Sequence, residues 1–415
     1  MKRRDALSIL PLGLPLGAMF ATAKTAIAQS APSSLAINVR DYGAIGDGIN
    51  DDTASIYNAL AALSSLPGGR GAIVFPAGIY RITQSINLTP NITSGNITIA
   101  GTGRFSSRIK ADGDFPAFFV AQGGCEIRDL YIVQYSTGNN SAAISVSNTT
   151  GIRLDNLGLE TSKNGIICRG GSGVFISNIF SFVFSGTLIL LEGAQSNNCV
   201  DIFIDTVIAS AIGNSSTGIV IKDWAHGLYI SKIELLGFIY GMSIHGSPSG
   251  YPGNIFCDRV ISDSCLNNGY QIEIGNTMRF SQCWGSSATN RGFNIIGGSN
   301  IWLDGCTAIN NGLEGVYVNT SGGVHIRNSQ IARNSQVQYG ALHGIYVEQS
   351  VSGVTVEGCR LGASEAGEPG LEKQGYGAFF ASGSNNYIVI GNDTRGNIIG
   401  GIFSGGSNSV VANNL

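Results

Sequence analysis

Two short strand patterns alternate along most of this 415-residue chain, and their spacing constrains the fold more than any other feature. The first reads Gly-apolar-x-apolar. It occurs as Gly218-Ile219-Val220-Ile221-Lys222, Gly241-Met242-Ser243-Ile244-His245 and Gly269-Tyr270-Gln271-Ile272-Glu273. Gly292-Phe293-Asn294-Ile295, Gly315-Val316-Tyr317-Val318 and Gly344-Ile345-Tyr346-Val347 continue it. The second carries one apolar anchor per repeat: Ile127, Leu154, Ile176, Ile204, Ile230, Cys257, Phe280, Leu303, Ile326, Val356 and Ile390. These anchors lie between 22 residues (Leu154 to Ile176) and 34 residues (Val356 to Ile390) apart. A period in the twenties, with short strands and polar turns, marks a solenoid whose repeats bury a core only by stacking. The predicted fold is all-β, a right-handed single-stranded parallel β-helix with a short N-terminal capping α-helix.

Three residues after each anchor comes a second inward position: Leu130, Leu157, Ile179, Val207, Ile233, Val260, Cys283, Cys306, Ser329, Cys359 and Asp393. Asp129, Asn156, Asn178, Asn328 and Asn392 sit between the two, at a tight turn that Asn and Asp tolerate. Most of the eight cysteines fall on core positions, where a thiol packs as a small apolar group. No Cys/His spacing reads as a zinc site, and no metal ligand set is expected.

Only 12% of residues are charged, about half the ~25% of an ordinary domain. The net charge is −3 with no basic block beyond the leader, which argues against a nucleic-acid partner. Residues 1–28 read as an export signal: Lys2, Arg3 and Arg4, an apolar run broken by Pro11 and Pro15, and Ala26-Ile27-Ala28 as the cleavage site. No membrane contact is expected after its removal, and the destination is periplasmic or extracellular. Residues 29–100 are assigned to an N-terminal cap and first strands, and 101–415 to the helical repeats. The protein is expected as a monomer or a homo-oligomer, a trimer included.

The opening of the mature chain is specific. Val39-Arg40-Asp41-Tyr42-Gly43-Ala44-Ile45-Gly46-Asp47-Gly48 is followed by Asn50-Asp51-Asp52-Thr53 and an amphipathic run, with Ile56, Leu60 and Leu63 at helical spacing. A strand ending Phe75-Pro76-Ala77-Gly78 comes next. Asp47, Asp51 and Asp52 lack calcium-loop spacing and read as turn and N-cap residues. This motif resembles the start of the pectate-lyase-like superfamily, an opening shared by phage tailspikes and exopolysaccharide-degrading enzymes. With Arg3-Arg4, the chain also resembles twin-arginine-exported β-helix repeat proteins of undetermined activity. The resemblance implies the fold and a polysaccharide-acting class. Calcium enters only by this analogy, and no other cofactor is expected.

In a strand, alternate residues point outward, and stacked coils place them in rows ~4.8 Å apart. On the Gly-apolar strand, here face A, one row reads Val220, Ser243, Gln271, Asn294, Tyr317, Tyr346. The next reads Lys222, His245, Glu273, Ile296, Asn319, Glu348. In the polygalacturonase relatives this strand type carries the active site, although their Asp-Asp and Arg-x-Lys motifs are absent here. Glu273 and Glu348 stand three coils, ~14 Å, apart, too far for a glycosidase carboxylate pair. β-Elimination in a uronate polymer needs instead a base beside cations or donors that stabilise an enolate. Lys222, His245 and Glu273 are therefore the catalytic candidates, with Lys222 or His245 as base. Gln271, Asn294, Arg291, Tyr317, Asn319, Tyr346 and Glu348 are the substrate-binding candidates. The predicted function is an acidic-polysaccharide lyase. A glycoside hydrolase, a uronan C5-epimerase and a non-catalytic carbohydrate-binding or structural β-helix remain open. The anchor strand, face B, shows a rival stripe: Phe175, Phe203, Tyr229, Phe256, Arg279, Trp302, His325. It reads either as a surface covered by a loop or neighbouring subunit, or as a sugar-stacking platform.

Overall fold

The computed structural model describes residues 36–66, 69–89, 96–362 and 373–415. The export signal and most of the 362–374 insertion lie outside the described residues.

Every strand ladder is parallel, and each strand pairs with its counterpart one coil away. The fold is a parallel β-helix. Its coils have three faces, one more than the two patterns in the sequence predict. Face A runs through Tyr270–Ile272, Phe293–Ile295, Val316–Val318 and Ile345–Val347. Face B runs through Asn276–Ser281, Ser299–Asp304 and Gly322–Arg327. Face C runs through Trp284–Ser286, Thr307–Ile309 and Gln330–Ala332. Near the middle of the chain, strands such as Gly171–Gly193 and Cys199–Asp223 bend round corners and serve several faces.

The corner between faces B and C is a single left-handed residue: Asp129, Asn156, Asn178, Thr206, Lys232, Arg259, Gln282 and Asn328, with φ between 50° and 59°. Thr206 and Lys232 dislike this conformation intrinsically. Paired strands on both sides impose it on them. The anchor column is continuous from Ile99 through Ile127, Leu154, Ile176, Ile204 and Ile230 to Phe280, and all are 0–1% exposed. Each fully buried Ile or Leu contributes roughly 1.5–3 kcal/mol. The final coil departs from expectation. Val356 pairs with Val389, and Glu357 with Ile390. Val389 is therefore the anchor, Asn392 the second inward residue and Gly391 the left-handed corner, in place of Ile390, Asp393 and Asn392. All eight cysteines are buried and free, and Cys283, Cys306 and Cys359 share one inward column. A further interior row escaped the sequence reading: the side chains of Asn311, Asn334, Gln374 and Asn397 bond in series at 2.8–3.2 Å.

At the N-terminal end, helix Thr53–Ser64 buries Ile56, Ala59, Leu60 and Leu63 in the core. The acidic opening performs turn chemistry. Asp51 accepts from the Thr53 amide at 3.0 Å and the Thr83 hydroxyl at 2.6 Å. Asp52 occupies the N-cap position, but its carboxylate turns back to the Ile45 and Gly46 amides at 2.6 and 3.1 Å.

Candidate functional site

Face A holds its outward side chains in register over many coils. The inner row runs Leu190, Val220, Ser243, Gln271, Asn294, Tyr317, Tyr346, Phe379, Phe403. The outer row runs Arg169, Glu192, Lys222, His245.

At the start of this strip, Lys222 and Arg169 converge on Glu192, with N–O distances of 2.5 and 2.9 Å. Burial alone would raise the Glu192 carboxyl, but hydrogen bonds and charge from Lys222 and Arg169 outweigh it and hold it below its ordinary range. The ion pair holds the Lys222 side chain against Glu192. Two cations share one acid, which leaves this patch net positive beside His245 in the next coil. Sequence reasoning missed Glu192 and Arg169. The signal was present in Leu190-Leu191-Glu192, thirty residues before Lys222 in the same row.

The next coils hold a fixed amide relay. Asn268 and Asn294 both donate to the Gln271 side-chain oxygen at 2.8 Å, and Gln271 donates to Glu273 at 3.1 Å. The Arg291 amide donates to the Asn268 oxygen, which sets that amide's orientation and hence the others. Asn268, Gln271 and Asn294 are buried although they point outward. The Asn294 oxygen is a buried acceptor without a partner. Beyond lies an aromatic stretch. Arg291 pairs with the buried Glu314 at 2.8 Å and covers the Tyr317 ring at 4.1 Å. Tyr317 donates to Glu348 at 2.9 Å, and burial together with that carboxylate pushes its phenol up to about 12. Tyr317, Tyr346, Phe379 and Phe403 form a stack, which His343 joins 4.4 Å from Phe379. Burial lowers His343 to about 4, so its ring is neutral at pH 7.

The structure thus brings Lys222 beside His245, links Gln271, Glu273 and Asn294, and joins Arg291, Tyr317, Tyr346 and Glu348. Asn319 stands exposed beyond its strand. Among the described residues no three His, Cys, Asp or Glu side chains are grouped to hold a metal ion.

Face B is built differently. Phe175, Phe203, Tyr229 and Phe256 stack at 4.9, 5.0 and 5.3 Å with interplanar angles of 7°, 6° and 18°. No described loop covers them: Phe175, Phe203 and Tyr229 are 36–47% exposed. Tyr229, Phe256, Asp258 and Arg279 line a shallow cavity of about 410 Å³.

Residues 36–250, just over half of the chain, match the family described as rhamnogalacturonase A/epimerase, pectate lyase-like. The chain belongs to that family. Residues 250–415 of this pectate lyase-like protein match the right-handed β-helix region. Mannuronan C5-epimerase AlgE5 of Azotobacter vinelandii is 37% identical over 75 residues, 18% of this chain and 7% of that protein. The match therefore spans a small fraction of the relative's length. Among solved structures, the A-module of the A. vinelandii mannuronan C-5 epimerase AlgE6 superposes with a TM-score of 0.60 at 16% identity, covering 91% of this chain and 98% of that one. Tailspike protein 3 of bacteriophage CBA120 gives 0.66 at 14% identity, covering 91% and 61%. At these identities the likeness is one of fold. No described helix is long and apolar enough to cross a membrane.

Proposed function

We propose that this protein is an exported enzyme that cleaves an acidic, uronate-containing polysaccharide by β-elimination on face A. The observation that carries the reading is the net-positive Arg169–Glu192–Lys222 cluster beside His245. A uronate carboxylate seated against Lys222, the neighbour of His245 in the row, makes the adjacent ring proton more acidic, because the cation stabilises the enolate that forms, and Arg169 adds positive charge further along the strip. The His245 imidazole takes the proton from C5, and the C–H electron pair moves into the carboxylate. The enolate then collapses to a C4–C5 double bond as the bond to the glycosidic oxygen at C4 breaks. The imidazolium returns its proton to that oxygen. Glu273 and Gln271 orient the sugar hydroxyls, Asn294 holds Gln271 in place, and Arg291, Tyr317, Tyr346, Asn319 and Glu348 bind further sugars along the strip.

A second reading, C5-epimerisation, shares the proton abstraction and ends with reprotonation from the opposite side of the ring. The mannuronan C5-epimerases among the relatives favour it. The test adds purified protein to mannuronan and polygalacturonate in deuterated buffer while following unsaturated-uronate absorbance. Rising absorbance is expected, and His245→Ala should lower its rate at least ~100-fold with the circular dichroism spectrum unchanged. Deuterium at C5 without absorbance moves the assignment to an epimerase. New reducing ends with neither signal overturn both readings.

A further inference from the structure

Face B carries a second feature that catalysis on face A does not use. Its stacked row begins and ends on a guanidinium group: Arg153 lies over Phe175 at 5.8 Å, and Arg279 follows Phe256 in register and lies over Trp302 at 5.5 Å. Five coil steps, ~24 Å, separate the two. Both are exposed, and neither has a carboxylate partner among the described residues. Of the acids alongside, Asp205 pairs with Lys232 at 3.0 Å, Asp258 with Arg259 at 2.7 Å, and Glu126, in register with Arg153 one coil away, with Arg128 at 3.5 Å, while Asp155 accepts from the neutral donors Ser177 and Asn178 at 2.6 and 2.8 Å and keeps its charge.

The rings stack face to face, so solvent meets their edges. An aromatic edge is the positive side of the ring quadrupole. Four such edges between two unpaired guanidinium groups form an electropositive strip that is also apolar. Its complement is an extended chain rich in oxygen and bearing carboxylates, with C–H surface between them. A protein interface core is depleted of Asp, whereas this strip is edged by Asp155, Asp205 and Asp258.

We infer that face B is a non-catalytic anchoring site for the acidic polysaccharide, held at Arg153 and Arg279 with the Phe175–Phe256 ladder between. The inference rests on the polymer class proposed above. It adds a second binding surface that tethers the substrate while face A acts on another segment.

The test uses the full mature chain carrying His245→Ala, so that the polymer is not consumed, in affinity electrophoresis through gels containing mannuronan or polygalacturonate. A neutral dextran gel is the control. Arg153→Glu with Arg279→Glu should weaken retention at least tenfold in the acidic gels. Phe203→Ala, which changes no charge, should weaken it about threefold. Retention unchanged in both variants overturns the inference. So does light scattering that shows a dimer dissociated by the double variant, since face B would then be a contact between copies. Retention lost in these variants, with no turnover by the unaltered protein, keeps the anchoring site and overturns the proposed catalysis. Absence of retention and of turnover overturns both.

Discussion

Faces A and B share one core and opposite outer surfaces. On face A, Gln271, Asn294 and Asn268 point away from the core yet are buried, and each depends on its neighbour for a hydrogen bond. On face B, Phe175, Phe203 and Tyr229 are substantially exposed, and each ring repeats the contact of the one before. A buried polar network is intolerant, because removing one member strands the others. An exposed stack loses only the contacts of the ring removed. Unlike side chains held in fixed orientations can do chemistry on a substrate, whereas a repeating stack offers the same surface at every coil and suits binding.

The largest expected effect is on face A. Gln271→Leu removes three hydrogen bonds and leaves the Asn268 and Asn294 donors buried without an acceptor, and should cost about 3 kcal/mol in urea unfolding. A loss below that of Phe203→Ala would break the contrast between the faces. The next effect depends on pH. His343 is neutral in the native state down to about 4, while the unfolded chain takes up the proton near 6.5. The unfolded state therefore binds more protons in this window, and stability should fall as pH drops from about 6.5 towards about 4, then level off. His343→Phe, which retains a ring beside Phe379, should flatten that part of the stability–pH curve relative to the unaltered protein. An unchanged curve would place His343 outside the buried network. The smallest effect is Phe203→Ala, which loses two stacked contacts worth ~0.5–1.5 kcal/mol each, offset by relief of an exposed apolar surface. A thermal midpoint lowered as far as by Gln271→Leu would show that the ladder fastens the coils together.

Much of the architecture was legible because its signal is local and repeated. The Gly-apolar strands, the anchor column from Ile127 to Val356 and the buried cysteines all follow from period-two alternation within a coil. The last coil failed at Val389-Ile390, where two apolar residues adjoin and alternation cannot choose between them. A one-residue slip reverses every side chain, and only pairing with Val356 resolves it. Face C passed unread because its short strands, such as Thr307–Ile309, turn a single residue, Ala308, inward and set polar Thr307 and apolar Ile309 together on the outside.

The candidate site was legible as rows but not as bonds. The sequence placed Lys222 beside His245, and Gln271 beside Asn294, through the repeat length alone. It could not show that Lys222 is committed to Glu192, that the Arg291 amide orients Asn268 and through it Gln271, or that outward-pointing amides are buried. Those facts depend on how far each coil is offset from the next and on which side chains cover the strip. The sequence by itself determined a stacked parallel helix with a known set of outward residues, since strand period and coil length are properties of the chain. Which of those residues are paired, buried or free was decided only by the tertiary structure, because deciding contacts such as Lys222 to Glu192 and Asn294 to Gln271 form across coils between groups more than twenty residues apart.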